Sequence, residues 1–333
     1  MDGPSFLEEP LLSTIDAEIP RVVAELEGVS PDDLDPITKQ KLILHTVREF
    51  GLESYVTTQC YLHGDVAVKG KSENRSGNAK LELPTSVDTD IPTCEEISEQ
   101  LIGPSSAYIQ DALSTPTFDW LESYYREIDI PFEAVYLAAL PVYANLHRTR
   151  DAAMGQTSGS IPENISTVVA ESCTELKRVT SRYALFDGVQ PYVTEFRRAV
   201  EPFLQWIEDQ DWESNAPVEY YEEFDRLYEL FYDGVWRGCG QRMSYVTVEG
   251  PSADGTKTRR EREANNQNEE FRTKLRRFQM ELDSLGVTAE ADVDRLPDLN
   301  FDEYVFEAGT DPDISASNRK RVSEDDPLFE RLG

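Results

Sequence analysis

Cys60 and His63 are separated by two residues, the spacing at which a thiolate and an imidazole can share one zinc ion. A closed zinc site needs a second such pair. Cys94, Cys173 and Cys239 stand far apart, and the other two histidines, His45 and His147, have no cysteine at ligand spacing. The expectation is therefore a strand with a buried thiol and a turn histidine, without a metal. Paired carboxylates such as Glu222-Glu223, Glu269-Glu270 and Asp325-Asp326 are plentiful, but acid pairs specify a reaction only with a pocket and shifted pKa values. A di-iron bundle needs Glu-x-x-His, and no histidine here has an acid three residues before it. Phosphate-cradling glycine loops, a GxSxG elbow and HExxH are also missing, so no cofactor is expected.

The acids of most interest lie between residues 36 and 83. Asp35 and Pro36 have the form of an N-cap and first helical residue; Ile43, Leu44, Val47 and Phe50 share a face, and Gly51 is placed as the stop. Strand signals follow at Tyr55 to Leu62, Asp65 to Lys69 and Ala79 to Leu83, predicting a small antiparallel sheet. This order of helix, strand, strand, strand resembles the core of the PD-(D/E)xK nucleases over residues 36 to 83. The resemblance implies Mg²⁺ or Mn²⁺ held by acids on the second and third strands, activating water and stabilising the leaving oxygen. It assigns the first acid to Asp65, the second to Glu82, the basic partner to Lys80, and a contribution from the preceding segment to Glu49 or Glu53. The chain departs from the pattern at Glu82, which is followed by Leu83-Pro84, so that Lys80 lies before the acid rather than after it.

A third set of residues points to association. Ala264, Asn268, Phe271, Leu275, Phe278, Leu282 and Leu285 alternate spacings of four and three, a coiled-coil seam with Asn268 at a core position. The seam can pair with a second copy or another protein, or dock on this chain's own helices. It overlaps a basic island: between Lys257 and Arg277 the bases Lys257, Arg259, Arg260, Arg262, Arg272, Lys274, Arg276 and Arg277 face four acids. Such a density of Arg and Lys can contact nucleic-acid phosphates, or pair with acids of the same protein. The latter is favoured.

The elements that carry these residues are mostly helical. Ile15, Ile19, Val22 and Leu26 form one stripe, with Pro20 a predicted kink. From Phe118, Leu121, Tyr125 and Ile128 onward the helical period persists. Phe132, Val135, Ala139, Val142 and Leu146 have Tyr136, Leu137 and Leu140 opposite them, which predicts a central helix kinked at Pro141. Further stripes run through Ile165 to Tyr183, Tyr192 to Ile207 and Tyr220 to Phe231. The predicted fold is mainly α (α+β). Residues 1–112 form a helical region with the small sheet, 113–240 a helical bundle, 241–256 a strand (MSYVTVEG) and linker (PSADGTKT), 257–286 a basic amphipathic helix, and 287–333 an acidic, partly disordered tail.

Composition sets the environment. The chain has 333 residues, 39% of them hydrophobic, enough to bury a core. Its 64 acids against 32 bases give a formal charge of −32, and only 9 of the bases are lysine. Such self-repulsion is tolerable where the Debye length shrinks to about 3 Å, near 1 M salt. This predicts a halophilic archaeon or one of its viruses as the source. The acidic start and the longest apolar run, Ala134 to Ala144, predict neither a secretion signal nor a membrane span, and four scattered cysteines predict reduced thiols in a cytoplasm or a virion. The function expected from these readings is a non-catalytic interaction or assembly protein. A divergent metal-dependent nuclease is the first alternative, and a nucleic-acid-associated protein using 257–277 the second.

Overall fold

A computed structural model describes residues 5–68, 92–128, 130–154, 164–209 and 220–296. The described chain is mostly helical, with one small antiparallel sheet, as expected. It divides into two compact units: residues 1–130 with 243–259, and 131–242 with 260 onward.

The first unit opens with α1 (Ser5–Glu25), which keeps its helix through Pro10 and Pro20. Each proline removes a backbone hydrogen bond. The buried stripe Leu11, Ile15, Ile19 and Val22 offsets that loss, each fully buried side chain contributing roughly 1.5–3 kcal/mol. Leu42, Ile43 and Val47 of α2 (Pro36–Glu49) join the same core, with Ile97 and Leu101 of α3 (Cys94–Ile102) and Ile109 of α4 (Ser106–Ser114). The predicted start and stop of α2 are both present. Asp35 Oδ1 accepts from the amides of Ile37 at 2.7 Å and Thr38 at 3.1 Å, and Gly51 follows with φ +63°, a left-handed conformation glycine adopts without a Cβ penalty.

Strands β1 (Thr58–Tyr61) and β2 (Gly64–Ala67) pair antiparallel, from Thr58 opposite Ala67 to Tyr61 opposite Gly64. The third expected strand, 79–83, lies outside the described residues. Helix α5 (Thr117–Glu127) turns Trp120, Leu121, Tyr124 and Tyr125 inward. The expected boundary at 112/113 falls inside α4, and both α4 and α5 belong to the first unit.

The second unit is a helical bundle. Helix α6 (Glu133–Ala153) is apolar on both sides, burying Val135, Tyr136, Ala139, Leu140, Val142, Tyr143 and Leu146, and it contains Pro141. On it pack α7 (Ile165–Thr180) and α9 (Tyr221–Glu229), and α8 (Gln190–Glu208) packs on α7. Phe132, buried ahead of α6, adopts φ +64°, uncommon for a bulky residue. Its ring is held edge-on against Tyr183 and Phe186, with centroids 5.3 and 5.6 Å away.

After α9 the chain makes a π-helical stretch, Leu230–Trp236, then α10 (Arg237–Thr247) and α11 (Ala253–Ser284). A π-helix loosens the regular ladder of carbonyl acceptors. Gln267 of α11 compensates by donating to the carbonyl of Asp233 at 2.9 Å and to that of Gly234.

Here the expected strand and linker at 241–256 are corrected: residues 241–247 are the end of α10 and 253–256 the start of α11, with a short turn between them. Residues Met243 to Thr247 complete α10, and only Glu249 pairs with Thr58, as an isolated bridge. Side-chain hydroxyls override the β-propensity of Tyr245 to Thr247. Ser244 Oγ donates to Gln59 Oε1, while Thr247 Oγ1 donates back to the Met243 carbonyl at 2.7 Å and accepts from the Cys60 amide at 2.8 Å. Beyond the bridge, the buried Glu8 carboxylate accepts from Ser252 Oγ at 2.6 Å and from the Thr57 amide, fixing the turn from which α11 starts.

Candidate functional site

The helical spacing of α2 places Lys41, His45 and Arg48 along one face of the helix, four and three residues apart. Lys41 is fully buried, and its ammonium donates to the Asp65 carbonyl at 2.5 Å and to Asp65 Oδ1 at 3.2 Å. Arg48 donates to Asp65 Oδ2, and Tyr124 of α5 donates its hydroxyl to Oδ1 at 2.6 Å. The Lys41 ammonium also lies 4.7 Å from the centre of the Tyr124 ring, within cation–π range. Two cations and a phenol thus converge on one carboxylate at the β2 end of the hairpin. Gly64 gives them room: a Cβ there would lie 3.0 Å from both Lys41 Nζ and Tyr125 Cε1.

Burial opposes every charge in this cluster, and the partners decide the outcome. It would push the Asp65 carboxyl up, but Lys41 and Arg48, helped by the Tyr124 hydroxyl, hold it below the usual carboxylate range. Burial lowers Lys41 even though Asp65 pulls the other way. For Arg48 burial again lowers, and Asp65 outweighs it. Burial and then the Asp65 charge push the Tyr124 phenol up, so it stays a donor. The same surroundings push the Cys60 thiol up to about 12 and the His63 imidazole down to about 3, in both cases mainly by burial. Cys60 is therefore a thiol, and the described residues contain no group of three metal-ligating side chains.

Beside this cluster, His45 stacks on Tyr108 of α4 with centroids 4.2 Å apart, and its Nε2 lies 3.0 Å from Ser105 Oγ. Gln100 spans the rim, donating to Glu49 Oε2 at 3.1 Å and approaching Ser105 Oγ at 3.5 Å.

Of the nuclease-like set, Asp65 is at the centre of the ion-paired cluster and Glu49 is exposed, with Gln100 as its hydrogen-bond partner. Lys80 and Glu82 lie outside the described residues. Sequence reasoning selected Asp65 but missed Lys41, Arg48 and Tyr124. The available signal was Lys41 itself, one of few lysines, in line with His45 and Arg48 and flanked by the apolar Leu42, Ile43 and Leu44.

The seam residues belong to the second unit's own core. Phe271, Leu275, Phe278 and Leu282 are buried and Leu285 is half-buried. Phe271 meets Tyr192 at 5.0 Å and Phe278 meets Phe203 at 5.9 Å, while Asn268 Oδ1 accepts from the Tyr192 hydroxyl at 2.9 Å. Within the sequence's two readings of this seam, the chain's own bundle occupies it.

Much of the basic island is also paired internally: Arg260 with Glu263 at 2.7 Å, Lys274 with Asp233 at 2.6 Å, Arg276 with Asp294 at 3.9 Å and Arg277 with Glu281 at 3.3 Å. Arg272 donates to the Leu296 carbonyl at 2.7 Å. Arg259 is half-buried, and Arg262 is exposed.

No helix among the described residues is long and apolar enough to cross a membrane. Residues 4–307 match a family model described as "Domain of unknown function (DUF8098)". No curated protein and no solved structure matches the chain.

Proposed function

The chain belongs to the DUF8098 family, and from its own surface we propose that it is an interaction and assembly protein that pairs with a second copy of itself in concentrated salt. The observation that carries this reading is the outer strip of α11. Met280 is 73% exposed, and one turn back Arg276 and Arg277 have side chains 55% and 67% exposed. An apolar side chain with two arginines is out of character on a chain of charge −32.

Across a groove of 330 Å³, α9 is mainly acidic, with Glu222, Asp225 and Glu229 beside the single base Arg226, lining the same groove as Lys274 and Arg277. A basic strip beside an acidic edge is self-complementary under two-fold rotation, since each copy can set its strip on the other's edge. Concentrated salt screens the repulsion between two acidic bodies and leaves the desolvation of Met280 as a driving term.

Light scattering coupled to size exclusion, at about 2–3 M KCl and again near 0.2 M, brackets strong and modest screening and tests the proposal. The expected result is a concentration-dependent dimer at high salt that Met280→Glu or Arg277→Glu weakens. A chain monomeric at every salt and protein concentration overturns it. The basic island as a nucleic-acid site gains less support, because four of its eight cations pair with acids of the same chain and the counterion release that drives phosphate binding is largely lost in concentrated salt.

A further inference from the structure

Ser105 occupies the N-cap position of α4, where a serine side chain ordinarily accepts from a first-turn amide and stabilises the helix. It makes no such bond. Its backbone sits at φ −91°, ψ −2°, in the sparsely populated bridge region, and its Oγ lies 3.0 Å from His45 Nε2. The imidazole is fixed by stacking on Tyr108 at 4.2 Å with an interplanar angle of 20°. Glu49, one turn along α2 from His45, is tied to the same place through Gln100.

Ser105 is 3% exposed, but Gly103, Pro104 and Ala107 around it are exposed, so the hydroxyl lies one layer beneath the surface. The first turn of α4 supplies amides of Ala107 and Tyr108 outside the intrahelical ladder, at the positive end of the helix.

We propose that Ser105 and His45 form a nucleophile–base dyad that hydrolyses small, activated acyl esters. As Ser105 Oγ attacks the acyl carbon, its proton passes to His45 Nε2, and the first-turn amides of α4 stabilise the oxyanion. The ester C–O bond then breaks, and the leaving alcohol takes that proton. Water attacks the acyl-serine and gives a proton to His45, which passes it to Ser105 Oγ as the acyl–Oγ bond breaks, releasing the carboxylic acid and restoring the free hydroxyl and the neutral imidazole. The net reaction is ester plus water to acid plus alcohol. Glu49 and Gln100 are positioning residues. Burial lowers the His45 pKa, with Glu49 opposing, so the imidazole is neutral and able to accept a proton at pH 7. This proposal is independent of the pairing surface on α11, and a monomer would carry it equally.

The experiment uses the full chain in concentrated KCl, with p-nitrophenyl acetate as substrate and a fluorophosphonate as covalent probe. Expected are a phosphonyl adduct on the peptide containing Ser105 and p-nitrophenol release that falls at least ~100-fold in Ser105→Ala and in His45→Gln, the lower end for losing a general base. Both variants should keep the wild-type helical circular dichroism. The rate should rise with pH through a single titration centred below the ordinary imidazole range, a profile a merely structural serine would not give. Ser105→Cys, which retains a nucleophile at that position, should still be acylated. An adduct on another residue, hydrolysis undiminished in Ser105→Ala, or no reaction by the folded protein overturns the proposal.

Discussion

Asp65 accepts from Lys41, Arg48 and Tyr124, so two cations and a phenol meet on one carboxylate. Its position on a strand after a capped helix was legible in the sequence, as was its acidity. That two cations would reach it from α2 was not, because Lys41 and Arg48 read as ordinary charges unless their helical face is known to point inward. Removing one member of such a group leaves a buried charge without its partner. Asp65→Asn is expected to destabilise the first unit by about 3–5 kcal/mol, since Asp65 is the acid paired with buried Lys41 among the described residues. Lys41→Met should cost less, because Arg48 and Tyr124 still satisfy the carboxylate. Urea unfolding at fixed high salt measures both, and equal losses would contradict a carboxylate-centred clamp. The pH dependence follows from the lowered Asp65 pKa. Stability from this group is fully present above the unfolded-state value of about 3.9 and is lost as pH falls through the lower folded value. Asp65→Asn should therefore flatten the acid limb of the stability curve below about pH 4.

At the scale of elements, local rules were good where backbone groups had only local partners. The Asp35 cap, the Gly51 stop and the two-sided α6 could be read directly. The end of α10 could not, because its helix depends on Ser244 and Thr247 reaching Gln59 and Cys60, residues nearly two hundred positions away. Helix α11 was legible as an amphipathic helix, but the partner for its seam was a matter of tertiary structure. Two substitutions separate its faces. Phe271→Ala should cost about 3–5 kcal/mol through an unfilled core position, whereas Met280→Glu should change stability by less than about 0.5 kcal/mol while weakening pairing between copies. Thermal unfolding and light scattering on the same samples decide this, and a stable Phe271→Ala would mean the seam is not part of the core. Close packing also predicts a cost at the π-helical stretch. A Cβ on Gly234 would lie 2.1 Å from Phe271 Cδ2, so Gly234→Ala should destabilise by about 1–3 kcal/mol, with partial recovery when Phe271 is reduced to Leu.

For the whole molecule the deciding quantity is charge against screening. The apolar content predicted buried cores, and both units have them. The acid excess predicted an environment, and its consequence is measurable without knowing any partner. Ion pairs such as Arg178–Glu175 and Arg126–Glu122 are exposed, and exposed pairs each contribute at most about 1 kcal/mol, so they cannot offset the repulsion of a −32 chain. Salt weakens those pairs but weakens the far more numerous acid–acid repulsions with them. The net effect of raising KCl from about 0.2 M to 2–3 M should therefore be a higher melting temperature, with the steepest rise at the low-salt end, before the Debye length has fallen to about 3 Å. The Lys41–Asp65 pair at the centre of the clamp is buried and largely unscreened, so the destabilisation caused by Asp65→Asn should be nearly the same at both ends of the salt range. If salt instead lowered the melting temperature, attraction would dominate the surface, and both the halophilic origin and the pairing of acidic copies would lose their physical basis.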